Sequence, residues 1–348
     1  MKALVVRLSA VGDVIHTLPA LAALKRHGYE VGWVVEPSAR PLVEGNPLVS
    51  RVTAAPPARA FRLGPFREAV RALRGERYDV ALDFQGLWKS AVWARLSGAP
   101  HVTGYGGPWR REPLSRVLIK NAMFFPPAVH VIDKNLALLR AVDISAVGLR
   151  EFPLPPTEEA GAVVEARLAT AGIDAAQVAV LNPGGGWESK LWPPAGFGEV
   201  ARGLRERGLT PLVTWGPGEE RLASRVVTAS GGAAVMCFPT TLLELLELLR
   251  RVRLVVSADT GPLHLACALK TPVVGIYGPT DPARNGPFSP ADVVVRRTPL
   301  CSPCHKKRCR MHEGAMEAIT SLEVLRAIDR RLPPAQPPEP EGAKRAAV

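Results

Sequence analysis

Tyrosine, cysteine and methionine are scarce in this 348-residue sequence, with four, five and five copies. Five cysteines, at 237, 267, 301, 304 and 309, make no even disulfide framework; a reducing cytosol is the expected setting. No apolar run reaches the roughly 18 residues that a spanning helix needs. Met1-Lys2 leads straight into a strand-like run with no small-residue cleavage site, so no signal peptide is expected. The glycine fingerprint Gly-x-Gly-x-x-Gly is missing after the first strand, which argues against a nicotinamide oxidoreductase, and no Walker A spacing is present. Acidic residues are the minority, 32 against 44 basic ones, for a net charge of +12. Only ten of those 44 are lysine. Arginine, the rest, suits bidentate contact with phosphate and carboxylate. Such charge fits nucleic acid, an anionic lipid surface or a phosphorylated small substrate. The basic residues are spread along the chain and no nucleic-acid motif occurs, so nucleic acid is not an expected partner.

What is present is apolar and strictly patterned. Residues of the hydrophobic class make up 47% of a chain long enough for two domains. Strand-like runs at 3–8, 30–36, 78–84 and 101–105 alternate with helical segments, and the same alternation resumes at 178–181, 210–215, 233–236, 252–256 and 271–276. This predicts an α/β protein with two doubly wound parallel sheets. The segment Phe152-Pro-Leu-Pro-Pro156 reads as a stiff linker. It divides a first domain, 1–155, from a second, 156–332. Residues 333–348, rich in Pro, Ala and Glu, read as a disordered tail.

The unusual residues fall where strands end. Ser257-Ala-Asp-Thr-Gly-Pro-Leu-His264 follows a buried strand, and Pro262 suits the first position of a helix. Asp259 is either the cap of that helix or part of an anion site at its N-terminus. Asp13, after the first strand, is either an N-cap carboxylate or a general base able to take a proton from an attacking hydroxyl. In Asn182-Pro-Gly-Gly-Gly-Trp-Glu-Ser-Lys190, glycine lets backbone N–H groups approach a phosphate, and Lys190 adds a point charge. Glu219 either caps a helix or accepts from a ribose. Arg110 and Arg111 stand in a loop where an acidic substrate can be held. Arg67 to Arg77 reads as the solvated side of a helix. Cys301, Cys304, His305, Cys309 and His312 could ligate zinc, but their loose spacing favours a basic loop without metal.

Six motifs, in order, give the chain a resemblance to glycosyltransferase family 9, the bacterial lipopolysaccharide heptosyltransferases. They are Ser9-Ala-Val-Gly-Asp-Val-Ile-His-Thr-Leu-Pro19, Asp83-Phe-Gln-Gly-Leu-Trp-Lys-Ser90, Arg111-Glu-Pro-Leu114, Lys190-Leu-Trp-Pro193, Asp259-Thr-Gly-Pro-Leu-His264 and Tyr277-Gly-Pro-Thr-Asp-Pro282. The first-half motifs most resemble the branch that adds the first heptose to Kdo; the stretch after residue 300 is more similar to the second branch. The resemblance implies a GT-B architecture, two Rossmann-like domains facing across a central cleft. It implies inverting transfer from ADP-heptose, needing no cofactor or metal, to Kdo-lipid A or a heptosylated core acceptor. By position it implies Asp13 as catalytic base and Lys190 at the donor phosphate. Gly185, Gly186, Glu219, Asp259, Thr260, Gly261 and His264 would join Lys190 in binding the donor, with glycines where relatives often carry hydroxyl residues. Ser9, Gly12, Gln85, Lys89 and Arg111 would face the acceptor. A peripheral position on the inner face of the inner membrane, held by anionic lipid, fits the charge. Alternatives are another GT-B transferase with a different sugar nucleotide or acceptor, and a non-catalytic nucleotide-sugar-binding protein. The oligomeric state is left open.

Overall fold

The apolar runs pair into two separate sheets of the same design. The structure is a computed structural model describing residues 1–56, 62–107, 110–119, 121–124, 130–300, 302, 307–308 and 314–332. The cysteine–histidine stretch named above and the tail at 333–348 lie outside the described residues. The first domain runs β1 (Lys2–Val6), α1 (Val11–Ile15), α2 (Leu18–Arg26), β2 (Glu30–Val35), β3 (Arg51–Ala54), α3 (Leu63–Gly75), β4 (Val80–Asp83), α4 (Trp88–Leu96), β5 (His101–Tyr105), β6 (Asn121–Met123) and α5 (Val131–Leu138). The second runs α6 (Glu158–Thr170), β7 (Val178–Asn182), α7 (Pro194–Glu206), β8 (Thr210–Val213), α8 (Glu220–Ala229), β9 (Val235–Met236), α9 (Leu242–Arg251), β10 (Leu254–Ala258), α10 (Gly261–Leu269), β11 (Val273–Tyr277), α11 (Pro282–Asn285), β12 (Val293–Arg296) and α12 (Ser321–Arg331).

Strand order is β3-β2-β1-β4-β5-β6 in one sheet and β9-β8-β7-β10-β11-β12 in the other. All pairings are parallel. Parallel strands covered on both faces must be apolar throughout, and β7, β10 and β11 are buried at every position. In such sheets ligands bind outside the carboxyl ends of the strands, where the strand order reverses. Those switch points fall between β1 and β4 and between β7 and β10. Val6 pairs with Asp83 at the first, and Asn182 with Ser257 at the second. The loops that follow carry nearly all the candidate residues.

Three strands were not anticipated from the sequence: β3, β6 and β12, of four, three and four residues. Each is an edge strand, and short edges carry too little apolar pattern to stand out. The helical segment between β1 and β2 is two helices, α1 and α2. Between them Asn135 Nδ2 donates to the His16 carbonyl (2.8 Å) and to Thr17 Oγ1 (3.2 Å), so α5 fixes the break.

One hydrophobic cluster extends across both domains, from Val5, Leu21 and Leu24 to Leu246, Val255 and Leu265. The outer face of each sheet has a cluster of its own. Burying a Val or Leu completely contributes about 1.5–3 kcal/mol, so the shared cluster holds the domains face to face. At their contact α1 lies against α10, and small residues set the approach. A Cβ on Gly261 would stand 3.1 Å from Val11 Cγ1, and one on Gly12 would overlap the His264 ring. Gly12→Ala is therefore expected to prop the domains apart and cut the sugar transfer that the resemblance implies at least about tenfold, since a displacement of about 1 Å at a reacting centre can cost about a hundredfold. ADP affinity should stay close to wild type. Unchanged turnover would show that this approach is not needed.

Candidate active site

Asp13 stands third in α1, not at its cap; the N-cap is Ala10, and no side chain caps the helix. The cap alternative is thus removed, and the carboxylate is committed elsewhere. Its Oδ1 meets Arg7 NH2 at 2.6 Å, while Oδ2 lies 3.9 Å from Arg111 NH1. Burial would raise the Asp13 pKa. The guanidiniums of Arg7 and Arg111, with Arg284 behind them, outweigh it and hold the carboxyl well below the usual range. The side chain is 22% exposed. An ionised, partly open Oδ2 is a proton acceptor facing the cleft.

Arg7 was read only as one position of a strand, yet it is the principal partner of Asp13. It is 2% exposed, its NH1 donates to the Phe84 carbonyl, and Trp33 Nε1 donates to the Arg7 carbonyl at 3.1 Å. Asp83 has no exposed surface and accepts from the Gln85 and Gly86 amides and from Ser90 Oγ. Gln85 Oε1 accepts from the Leu8 N–H at 2.7 Å, and Lys89 pairs with Glu36 at 2.6 Å. The first contact ties the ends of β1 and β4 together, and the second ties α4 to the end of β2. Arg110 holds its loop through Nε on the Tyr105 carbonyl at 3.0 Å, which leaves Arg111 as the exposed arginine nearest Asp13. Ser9 is partly buried between β1 and α1, and Gly12 is buried against His264.

Asp259 is not a cap either; the N-cap of α10 is Thr260, whose side chain makes no cap bond. The Thr260 hydroxyl is held by Ser257 Oγ at 3.0 Å and by Asn182 Nδ2 at 3.4 Å. First-turn N–H groups left uncapped favour an anion. Asp259 lies behind that turn with a side chain 2% exposed. Its Oδ2 accepts from Lys190 Nζ at 2.6 Å, and its Oδ1 from His264 Nε2 at 3.1 Å and Asn285 Nδ2 at 2.6 Å. Burial would raise its pKa, but His264 and Lys190 hold it far below the usual range. Asp259 and His264 therefore position Lys190, whose ammonium also lies 4.6 Å from the centre of the Trp187 ring.

Glu219 is the N-cap residue of α8 without a side-chain cap bond. Its carboxylate accepts instead from Gly185 N at 2.8 Å and Gly216 N at 2.9 Å, joining the loops after β7 and β8. The Gly185 amide is occupied by protein, and Glu219 is the clamp that occupies it. Gly185 is required here for a steric reason, since a Cβ would stand 2.8 Å from Thr260 Cγ2, whereas Gly186 faces open space. Asn182, missed in the sequence, is 3% exposed and links Gly184, Thr214, Ser257 and Thr260.

Between the two walls lie three histidines. The His16 and His264 rings are 4.4 Å apart and those of His16 and His130 5.8 Å. Burial, then the neighbouring rings, keeps the His16 pKa well below its ordinary value; burial lowers that of His130 too. Both resist protonation in the folded state, so the unfolded chain takes up more protons once the pH falls below about 6.5. Stability should then decline with acid, by up to about 1.4 kcal/mol per pH unit for each histidine. Urea unfolding from about pH 8 to 5.5 should show this slope, and His16→Gln should remove one histidine's share. A flat profile would contradict it.

The model for glycosyltransferase family 9 (heptosyltransferase) matches residues 66–314. The chain belongs to that family. It is 33% identical over 320 residues to lipopolysaccharide heptosyltransferase 1 of Pseudomonas aeruginosa, covering 89% of this chain and 87% of the relative. Against lipopolysaccharide heptosyltransferase 2 of Escherichia coli K12 the identity is 26%, covering 94% and 97%. Among solved structures, E. coli heptosyltransferase WaaC with ADP is similar at 26% identity and a TM-score of 0.74, covering 95% of this chain and 100% of that one. The family 9 glycosyltransferase of Veillonella parvula shares the fold with a TM-score of 0.80 at 19% identity. This protein is thus a glycosyltransferase of the heptosyltransferase family with the GT-B fold.

Proposed function

We propose that the protein transfers heptose from ADP-heptose onto Kdo of the lipopolysaccharide inner core, with inversion. The carrying observation is that Asp13 and Lys190 stand at the switch points of two facing sheets. An acceptor hydroxyl gives its proton to Asp13 Oδ2 as its oxygen bonds to the anomeric carbon. The bond from that carbon to the β-phosphate oxygen breaks, and its electron pair leaves with ADP. Lys190 and the uncapped turn of α10 stabilise that charge, a role preorganised donors and side-chain cations can fill without a metal. The greater identity to heptosyltransferase 1 than to heptosyltransferase 2 favours the first transfer.

No helix among the described residues is long and apolar enough to cross a membrane. Leu114 and Val117 are nonetheless exposed in the same short segment as the exposed Arg111 and Arg116, a mixed apolar and basic surface suited to the anionic leaflet that holds a lipid acceptor. The deciding assay supplies ADP-heptose with Kdo-lipid A and, separately, with its heptosylated form. Transfer to the first is expected. Transfer to the second alone would assign the later step, and transfer to neither would overturn the reading. ADP should compete with the donor more strongly than UDP or GDP; the opposite order would indicate another sugar nucleotide.

A further inference from the structure

The segment after β11, through α11, carries three polar groups for which the described residues supply no partner. Asn285 gives its Nδ2 to Asp259 Oδ1 at 2.6 Å, and because a carboxylate only accepts, the amide oxygen must lie on the other side. Among the described residues that oxygen is buried without a partner, as is the hydroxyl of Thr280, a residue 4% exposed. Arg284 is half-buried and has no hydrogen bond or ion pair from its side chain among the described residues, yet it lies within electrostatic reach of Asp13 and Asp259. Buried polar groups are nearly always satisfied, so orphans gathered on one loop call for a missing ligand.

The loop itself is firmly held. Asp281 Oδ1 accepts from the Ala283 N–H, Tyr277 Oη donates to the Asn285 carbonyl, and His130 Nε2 lies 3.1 Å from the Gly286 carbonyl. His130, at the start of α5, belongs to the first domain, so this loop reaches across the cleft. Lys190 is already balanced by Asp259, and Arg7 by Asp13. Arg284, among the described residues, is therefore a cation on the donor wall with no protein counter-ion in contact. We propose that Arg284 binds the diphosphate of the donor and steadies charge on the departing phosphate oxygen, while Asn285 Oδ1 and Thr280 Oγ1 receive hydroxyl groups of the transferred sugar.

This deepens the heptosyltransferase reading and rests on it. The test compares wild type, Arg284→Gln and Arg284→Lys by ADP calorimetry and by transfer kinetics. Arg284→Gln should weaken ADP binding about tenfold and lower kcat about 10- to 100-fold, with part of each loss restored in Arg284→Lys and the acceptor KM within about twofold of wild type. ADP affinity and kcat within about twofold of wild type would overturn the assignment. So would a raised acceptor KM with unchanged ADP affinity, which would give the guanidinium to an acceptor carboxylate. If wild type itself fails to use ADP-heptose, the heptosyltransferase reading fails, and the ADP calorimetry still decides the role of Arg284.

Discussion

Asp13→Asn is expected to lower kcat by about 10²–10⁴-fold, the range for loss of a positioned general base, while ADP binds as before. The carboxylate is ionised at every working pH, since Arg7 at 2.6 Å and Arg111 outweigh its burial. Such a base is weak, and it takes the proton only as the attacking oxygen gains positive character on bonding to the anomeric carbon. The same charges let an asparagine keep its place: it is nearly isosteric, and its carbonyl can still accept from Arg7. A loss confined to kcat would therefore report lost proton transfer and not a displaced helix. Turnover retained in this variant would remove Asp13 as the base. No acid limb of activity above about pH 4 should come from Asp13 itself, because a depressed carboxyl stays ionised there.

Asp259→Asn is expected to cost about 3–5 kcal/mol of stability, the usual result of removing one partner from a buried ion pair. Three donors converge on this carboxylate, from Lys190, His264 and Asn285. An amide cannot serve all three; its nitrogen faces another donor, and the Lys190 ammonium loses its counter-ion. Urea unfolding should show a lower midpoint with an unchanged slope, together with weaker ADP binding because Lys190 is no longer held. A stability change under about 1 kcal/mol would mean the cluster contributes little. The sign with pH follows from the depressed pKa of Asp259. Stability from this pair is complete above the unfolded carboxyl value of about 3.9 and is lost as the pH falls below it. That window lies apart from the histidine effect, which begins near pH 6.5.

Both sheets and their switch points were legible in the sequence because buried parallel strands are continuously apolar, and Val252 to Val256 or Tyr78 to Phe84 can hardly be anything else. Asp13 and Lys190 were legible because each follows such a strand within a turn of small residues. What escaped detection depends on distance along the chain. Arg7 reads as one charge in a strand; only the β1–β4 pairing brings it against Phe84 and Asp13. Asn182 stands out only as the start of a glycine-rich turn and Asn285 belongs to no motif; their roles are defined by partners 75 and 26 positions away. Glu219 illustrates the converse. Its position suggested a ribose contact, and the fold uses the same carboxylate to join two loops. The three overlooked strands lie at sheet edges, where three or four residues suffice.

The central claim is that one wall grips the nucleotide while the other activates the alcohol, and a crystal structure with bound ADP tests it most directly. The expected result is a diphosphate beside Lys190 and the first turn of α10, within reach of Arg284, with Asp13 across the cleft. A nucleotide seated on the β1–α1 side, or away from Lys190 and Thr260, would contradict the account.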